Sequence, residues 1–204
     1  MASNKIYTFD EGTHTHRIGD IVVPGITTVI NPLYDFSGVT KHIMEAARQY
    51  GSAVHKTVEL YCLDALDIDG LDPGLRSVLT AFPQWLKDYG FVKSDFIVEV
   101  PMGDPALMVG CIPDLILDGK LIVEIKSREP NHLTDSIQTV CQEHVWKKNG
   151  GTRTKEYERR VLYLRPDGSY KYQKVNDKQA NSRFRKLLDH YWDGKLIQSW
   201  RINK

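Results

Sequence analysis

The chain has 204 residues, of which 41% are hydrophobic and 26% are charged, and its formal net charge is +1. This composition is typical of a soluble globular domain. It excludes a disordered chain, a membrane-embedded chain and a protein that binds nucleic acid through overall positive charge, so any such binding must come from local clusters of Lys and Arg. The length suits one domain, and we expect residues 1–204 to fold as a single unit.

The cysteines and the N-terminus bear on where the protein works. Cys62, Cys111 and Cys141 form neither a CxxC pair nor a zinc-finger spacing with His, and an odd number does not suit a disulfide framework. We therefore expect reduced, buried thiols. The first residues lack a secretion signal, and no segment approaches the roughly 20 apolar residues of a membrane span. These features predict a cytoplasmic protein without a membrane partner.

The first half of the chain, about 1–90, combines short strands with helices. Apolar periodicity and turn residues predict strands over 5–9 and 15–23, helical structure from 38 to 66, a loop over 67–74 and a helix over 75–89. Gly51 predicts a break between two helices, and Pro83 predicts a kink or an early helix end. We expect this half, with its N-terminal hairpin, to pack on a core formed by the second half, about 91–192.

The second half alternates strands and helices. It predicts strands near 95–100, 107–117 and 120–127, a helix over 134–148, strands over 157–165 and 169–175, and a helix over 177–192. This order predicts an α+β fold in which a mixed central β-sheet is flanked by helices.

The segment "GCIPDLILDGKLIVEIKS" (110–127) joins two apolar strands at a turn, yet it carries Asp114, Glu124 and Lys126. A two-residue turn would place Asp114 and Glu124 on opposite faces of the sheet. A three-residue loop of 117–119, which pairs Ile116 with Lys120, would bring all three charges to one face. We predict the second register, because a carboxylate in an apolar sheet is costly and a shared divalent cation relieves that cost.

The chemistry of this set favours a hard cation. Carboxylate oxygens and water suit Mg²⁺ or Mn²⁺ rather than a soft metal. Lys126 could orient or deprotonate a metal-bound water, or stabilise the charge that develops on a phosphate. The alternative is a structural Glu–Lys pair on a half-exposed strand beside an Asp that ends another strand, and the residues alone leave it open.

Three motifs in order resemble the PD-(D/E)xK nuclease superfamily. "PD" at Pro113–Asp114 and "EIK" at 124–126 match its signature. "GSAVHKTVE" (51–59) resembles the GxxxH helix of the RecB-like exonuclease branch, and Gln138 stands on the helix that carries that branch's QxxxY motif. The resemblance covers about 25–190 and is nearest to small exonuclease-like proteins of bacteriophages.

This resemblance implies a restriction-endonuclease-like core that binds one or two Mg²⁺ or Mn²⁺ ions. It assigns metal binding to His55, Asp114, Glu124 and the carbonyl of Ile125. Asp114, Glu124, Lys126 and Gln138 would be the catalytic set, in which Gln138 positions the lysine or the DNA. The chain departs from the motif at Gln142, where the family has Tyr; taking Gln142–Trp146 as the motif restores an aromatic residue one helical turn later. The cysteines of an iron–sulfur cluster are missing, so none is expected.

Further candidates surround this set. Glu59 lies four residues after His55 on one helical face and could hold its imidazole tautomer, and Glu99 could add a carboxylate from a strand end. Gln142 is kept as a second amide on the Gln138 face. Six basic residues follow that helix and form either a solvated loop or phosphate contacts: Lys147, Lys148, Arg153, Lys155, Arg159 and Arg160.

The expected function is that of a divalent-metal-dependent deoxyribonuclease. The resemblance implies an exonuclease that acts on linear single- or double-stranded DNA in phage or bacterial replication, recombination or repair. A phage recombination or single-strand-binding protein would be its partner, and the host cytoplasm its location if it is phage-encoded. The alternatives are a structure-specific endonuclease and an inactive DNA-binding module of a recombination complex. The sequence leaves the oligomeric state open.

Overall fold

The computed structural model describes the backbone of residues 6–153 and 156–202, and side chains within these ranges up to Lys195. In chain order its elements are β1 (Tyr7–Asp10), β2 (Thr15–Ile18), β3 (Ile21–Val23), α1 (Ile26–Ile30), α2 (Lys41–Cys62), α3 (Arg76–Tyr89), β4 (Ile97–Val98), β5 (Met102–Asp104), β6 (Val109–Cys111), β7 (Leu115–Leu117), β8 (Leu121–Lys126), α4 (His132–Lys148), β9 (Glu158–Leu164), β10 (Tyr170–Lys174) and α5 (Ala180–Ile202).

A five-stranded sheet organises these elements, in the order β10-β9-β8-β7-β4. The β8–β9 pair is parallel, and the other three pairs are antiparallel. The parallel pair needs a crossover connection, which α4 supplies. The strands β1–β3 form a second sheet, and β5–β6 form a two-stranded ladder. The predicted α+β class with a mixed sheet flanked by helices is confirmed.

Two hydrophobic cores lie on opposite faces of the central sheet. The helices α1, α4 and α5 cover one face, where Ile116 and Ile122 are buried. The helices α2 and α3 cover the other face, where Val123 and Ile125 are buried. Consecutive residues of β8 thus point to different cores, as the two-residue period of a strand requires. None of the helices among the described residues is both long and apolar enough to cross a membrane.

The helix α2 passes through Gly51 without interruption, so the predicted break is wrong. Thr40 caps its N-terminus by accepting a hydrogen bond from the backbone N–H of Ile43 at 3.4 Å. A glycine in a helix interior costs about 1 kcal/mol. Burial of Val54 and Val58 in the second core outweighs this cost. The continuity of α2 matters because it fixes His55 relative to the sheet.

Pro83 lies inside α3, which continues to Tyr89, so the predicted early end is wrong. Proline removes one backbone hydrogen bond and costs about 3 kcal/mol in a helix interior. Its neighbours Phe82 and Trp85 are almost completely buried, and their packing holds the helix together. The helix ends at Gly90, whose φ of +66° is the left-handed conformation of a helix cap.

Several predicted strands are divided into shorter ones. A turn at Gly19, whose φ is +59°, separates β2 from β3 within the segment predicted as one strand. The strand predicted over 107–117 is interrupted before Asp114, where Pro113 has no N–H for a ladder.

The short α1 and β5 fall in segments without a clear apolar period. The helix α5 extends to Ile202, beyond the predicted end.

The hairpin β7–β8 has a three-residue loop, but the loop is Asp118–Lys120 rather than 117–119. Leu117 pairs with Leu121, and Gly119 has a φ of +69°. The prediction that Lys120 faces Ile116 is therefore wrong. Leu117 stays in the strand because it packs against the second core, whereas the Lys120 side chain is exposed.

The observed register nevertheless has the predicted parity. Leu115 lies opposite Val123, so the next pair outward would be Asp114 and Glu124. Their side chains and that of Lys126 therefore share one face of the sheet. The geometric part of the prediction, that one face carries all three charges, is confirmed.

Candidate metal centre

Asp114 lies at the start of β7, where β6 has ended and the chain turns into the central sheet. Its side chain is 5% exposed. One carboxylate oxygen, Oδ1, lies 2.9 Å from Nδ1 of His55, and the other, Oδ2, accepts a hydrogen bond from the backbone N–H of Ile125 at 2.5 Å. The neighbouring strand therefore fixes one oxygen and leaves the second for His55.

His55 and Glu99 complete a cluster with Asp114. The helix α2 carries His55 over the end of the sheet, and Oε1 of Glu99 lies 3.5 Å from its Nδ1. Glu99 follows β4 with a φ of +47°, a strained conformation for a residue with a side chain. Its backbone N–H donates to the carbonyl of Asp114 at 3.2 Å. One ligand atom from each of the three residues lies within 4.8 Å of the other two.

Glu124 adjoins this cluster but is held by other partners. Its Oε1 accepts from Nζ of Lys126 at 2.5 Å and from Nε2 of Gln138 at 2.6 Å, and its Oε2 accepts from Nε2 of Gln142 at 2.5 Å. Lys126 also donates to Oε1 of Gln138 at 3.1 Å. The sequence predicted Glu124 as a ligand beside His55, and the structure instead groups Glu99 with His55 and Asp114.

The helix α4 delivers both glutamines to Glu124. Asn131 caps it by accepting from the backbone N–H of Thr134 at 3.3 Å. Gln138 and Gln142 are four residues apart, so they share the helical face toward β8. Both predicted amides contact Glu124, each through a different carboxylate oxygen. Oε1 of Gln142 is buried and has no hydrogen-bond partner among the described residues.

Burial and ion pairing act in opposite directions on the charged pair of the cluster. Burial alone would lower the pKa of His55, but the charge and hydrogen bonds of Asp114 and Glu99 raise that pKa to about 10. Burial would raise the pKa of Asp114, and the charge of His55 outweighs it, so the pKa is lowered. The raised pKa keeps the imidazole of His55 protonated at neutral pH.

The other acids of the site are harder to ionise. Burial, with the charge of Asp114, raises the pKa of Glu99 to about 7. The same two causes raise the pKa of Glu124. Burial would lower the pKa of Lys126, but the carboxylates of Glu124 and Asp114 outweigh burial and raise it. Lys126 is thus an ammonium group at neutral pH.

The donor set fits a hard divalent cation. Ligands at right angles around an ion at about 2.1 Å lie about 3 Å apart, which matches octahedral Mg²⁺ or Mn²⁺. The measured separations from Nδ1 of His55 are 2.9 Å to Asp114 and 3.5 Å to Glu99. One imidazole and two carboxylates, without a thiolate, favour Mn²⁺ or Mg²⁺. An ion bound to Nδ1 of His55 would replace a proton on that nitrogen.

Two other predicted contributors, Ile125 and Glu59, differ in whether they contact this site. Ile125 is buried in β8, and its N–H is bonded to Asp114. Glu59 is directed to Lys56, with its Oε2 2.8 Å from Nζ, rather than to His55. The carboxylates that face His55 are therefore those of Asp114 and Glu99, and Glu99 is the residue that the sequence offered as an added carboxylate from a strand end.

The predicted basic residues lie at the opposite end of the sheet. Arg159 pairs with Ile122 of β8, whereas Tyr163 of β9 pairs with Lys126. Arg159 therefore lies about 13 Å along the strands from Lys126, at about 3.3 Å per residue. Several of its members already have acidic partners: Lys147 and Arg159 bind Glu143, and Arg160 binds Glu158. Lys148 and Arg153 are exposed, and Lys155 lies outside the described residues.

One basic residue that the sequence did not suggest lies at the correct end. Arg128 follows Lys126 by two positions and forms an ion pair with the buried Asp135 of α4. Asp135 also accepts from the hydroxyl of Tyr163 at 2.6 Å. The sequence feature that could have suggested Arg128 is a basic residue just beyond "EIK" followed by an acid in the first turn of the next helix. That arrangement is too common in proteins to identify a site residue.

Comparison of the chain with models of known protein families gives no match, and no curated protein matches it. The arguments below therefore rest on the motifs and on the geometry of this site.

Proposed function

We propose that the protein is a divalent-metal-dependent deoxyribonuclease, and that it acts as an exonuclease. The observation that carries the proposal is the hairpin β7–β8, which joins two charged sets. One is His55, Glu99 and Asp114, whose ligand atoms suit a cation. The other is Glu124 with Lys126 on the same face of the sheet. The PD-(D/E)xK resemblance implies His55, Asp114, Glu124 and Lys126 of this combination, and the geometry adds Glu99.

The side chains have separate roles in this proposal. His55, Glu99 and Asp114 would hold Mg²⁺ or Mn²⁺, with Glu124 alongside. A bound cation of this kind activates water and neutralises phosphate charge. Lys126 is an ammonium group, so it serves to stabilise the negative charge on the phosphate rather than to remove a proton. Gln138 and Gln142 position Glu124, and Gln138 also positions Lys126.

The mode of attack is tested with labelled DNA. An exonuclease needs an end, so it should degrade linear DNA and leave closed circular DNA intact in Mn²⁺. Separate 5′ and 3′ labels would give the polarity. A Glu124→Ala protein is the control, because it removes the carboxylate that holds Lys126 and should lose the activity. Cleavage of the closed circle would replace this proposal by a structure-specific endonuclease.

A second candidate function is an inactive DNA-binding module of a recombination complex. It is favoured by one observation, that both oxygens of Glu124 are engaged by Lys126, Gln138 and Gln142. A carboxylate held in this way contributes to packing without a metal. An increase in melting temperature on addition of Mn²⁺, absent from an Asp114→Asn protein, would support the nuclease. No increase together with intact labelled DNA would support the inactive module.

The proposed setting is phage or bacterial DNA replication, recombination or repair in the cytoplasm, on linear DNA. Cys111 and Cys141 are buried free thiols, which suits a reducing compartment. A phage recombination or single-strand-binding protein is the partner that this role would require.

A further inference from the structure

Tyr34 and Phe36 form an aromatic pair in the segment between α1 and α2. Their ring centres are 5.6 Å apart, and the ring planes differ by 22°. Tyr34 is the inner ring, which packs against the first hydrophobic core. Phe36 is the outer ring and is 46% exposed. The pair is thus a stack anchored at its inner end and open to solvent at its outer end.

The stack is attached to the end of β8 that carries the charged site. Nη2 of Arg128 lies 3.4 Å from the hydroxyl of Tyr34, and its guanidinium lies 5.8 Å from the ring centre. Arg128 is fixed by the buried Asp135 and follows Lys126 by two residues. The Cα atoms of Lys126 and Arg128 are at most about 7 Å apart. Because the Arg128 side chain contacts Tyr34, the stack lies beside the end of β8 that carries Lys126.

Exposed hydrophobic side chains follow Phe36 along the chain. Val39 is 39% exposed and Ile43 is 57% exposed, so large hydrophobic side chains continue from Phe36 into the first turn of α2. Exposed apolar side chains grouped in this way mark interaction sites. A flat apolar face next to positive charge matches the two parts of a nucleotide, the base and the phosphate.

We propose that the ring of Phe36, supported by Tyr34, stacks on an unpaired base of the DNA strand that enters the metal centre. The proposal rests on the proposed nuclease function and adds a substrate class, single-stranded DNA or an unpaired end. A paired base is stacked between its neighbours and does not offer its face, so the occupant is an unpaired base. Stacking on an aromatic ring tolerates any base, so this contact carries no sequence preference.

The test compares two aromatic pairs of equal exposure. Tyr89 is also 46% exposed and is stacked with Phe91 at 6.2 Å, but that pair lies beside Lys120, at the loop end of the β7–β8 hairpin. The affinity of a labelled short single strand is measured in EDTA, where cleavage stops, for the wild type, Phe36→Leu and Tyr89→Leu. The same strand with abasic sites is the second probe.

Phe36→Leu should weaken binding of the intact strand by about fivefold or more, and Tyr89→Leu should leave it within about twofold. The wild type should bind the abasic strand as weakly as the Phe36→Leu protein binds the intact strand. Equal binding of the intact strand by wild type and Phe36→Leu would overturn the proposal. The proposal would also be overturned if Phe36→Leu weakened binding of the abasic strand as much as binding of the intact strand. The effect would then be independent of bases, and these rings would be a contact for a protein.

Failure of this inference and failure of the nuclease proposal give different results. The binding measurement needs neither a metal nor cleavage. If binding depends on Phe36 but the protein never cuts DNA in Mn²⁺, the base-stacking inference stands and the nuclease proposal fails. If the protein cuts DNA but Phe36→Leu binds the strand as tightly as the wild type, the nuclease proposal stands and the base-stacking inference fails.

Discussion

At the scale of single residues, protons and a cation compete for the same three side chains. His55 holds its proton up to about pH 10 because the carboxylates of Asp114 and Glu99 face it, and Glu99 holds its proton up to about pH 7 because of burial and the charge of Asp114. A cation binds only the unprotonated forms, so its binding must release these protons. The site therefore links metal affinity to pH in a way that a surface carboxylate would not.

The first prediction concerns this linkage. Between pH 7 and 10 one proton, from His55, is displaced, so the association constant for Mn²⁺ should rise about tenfold for each pH unit. Below pH 7 a second proton, from Glu99, is also displaced, so the association constant should depend more steeply on pH. Calorimetric titration in two buffers of different ionisation enthalpy counts the protons released. Mn²⁺ binding without proton release would contradict the assigned ligands.

The ligand assignment predicts a difference between two neighbouring carboxylates. Glu99→Gln should weaken Mn²⁺ binding at least about tenfold, because it removes a charged ligand that also faces His55. Glu59→Gln is the matched control, since Glu59 pairs with Lys56, and it should leave the affinity within about twofold. The reverse order in a Mn²⁺ titration would restore Glu59 as the partner of His55 and remove Glu99 from the site.

Lys126 and Lys120 lie in the same hairpin and make a matched pair for catalysis. Lys126→Met should lower kcat by about 10²–10³, the effect expected on loss of one charge-stabilising donor, while Mn²⁺ still binds. Lys120→Met removes an exposed lysine in the loop and should leave kcat unchanged. Steady-state digestion of labelled linear DNA gives both values. Full activity of Lys126→Met would exclude the lysine from the mechanism.

At the scale of elements, two glycines are expected to respond in opposite directions to alanine. Gly51 is helical, and a Cβ there would meet only Oγ of Ser127, at 3.6 Å. Gly51→Ala should therefore raise the free energy of unfolding by about 0.5–1 kcal/mol. Gly90 has a φ of +66°, so Gly90→Ala should lower it by about 1 kcal/mol. Urea denaturation measures both, and a destabilised Gly51→Ala protein would mean that α2 needs a glycine beside β8.

The elements also show what local patterns can predict. The helices α2, α3 and α5 follow from apolar periodicity, because each buries one face, and the strands of the central sheet follow from short apolar runs between turn residues. The helix α4 is buried on almost every side, so turn residues rather than one apolar face indicate its bounds. The uninterrupted α2 and α3 do not follow, because the packing of residues such as Val54 and Trp85 decides whether Gly51 or Pro83 ends a helix. Similarly, the packing of the partly buried Leu117 against the second core, and not the Asp-Gly pair alone, sets the loop of the β7–β8 hairpin.

At the scale of the whole molecule, the site depends on contacts between distant segments. His55 and Asp114 are 59 residues apart in the chain, and Asp114 and Glu124 come together through a short hairpin. The motifs predicted these partners. The place of Glu99 depends on a left-handed backbone conformation, and the distance of the basic run from the site depends on the direction of β9 relative to β8. Neither has a local signal in the sequence.

The most direct test of the account is the rate at which the purified protein releases nucleotides from labelled linear DNA in Mn²⁺, compared between the wild type and Asp114→Asn. Asp114 is the residue that both His55 and the backbone of Ile125 contact, so its charge is central to the site. The account predicts Mn²⁺-dependent release by the wild type, abolished by EDTA, and a loss of at least about 10² in the folded Asp114→Asn protein. Release that is undiminished in Asp114→Asn, or a wild type that releases nothing, would contradict it.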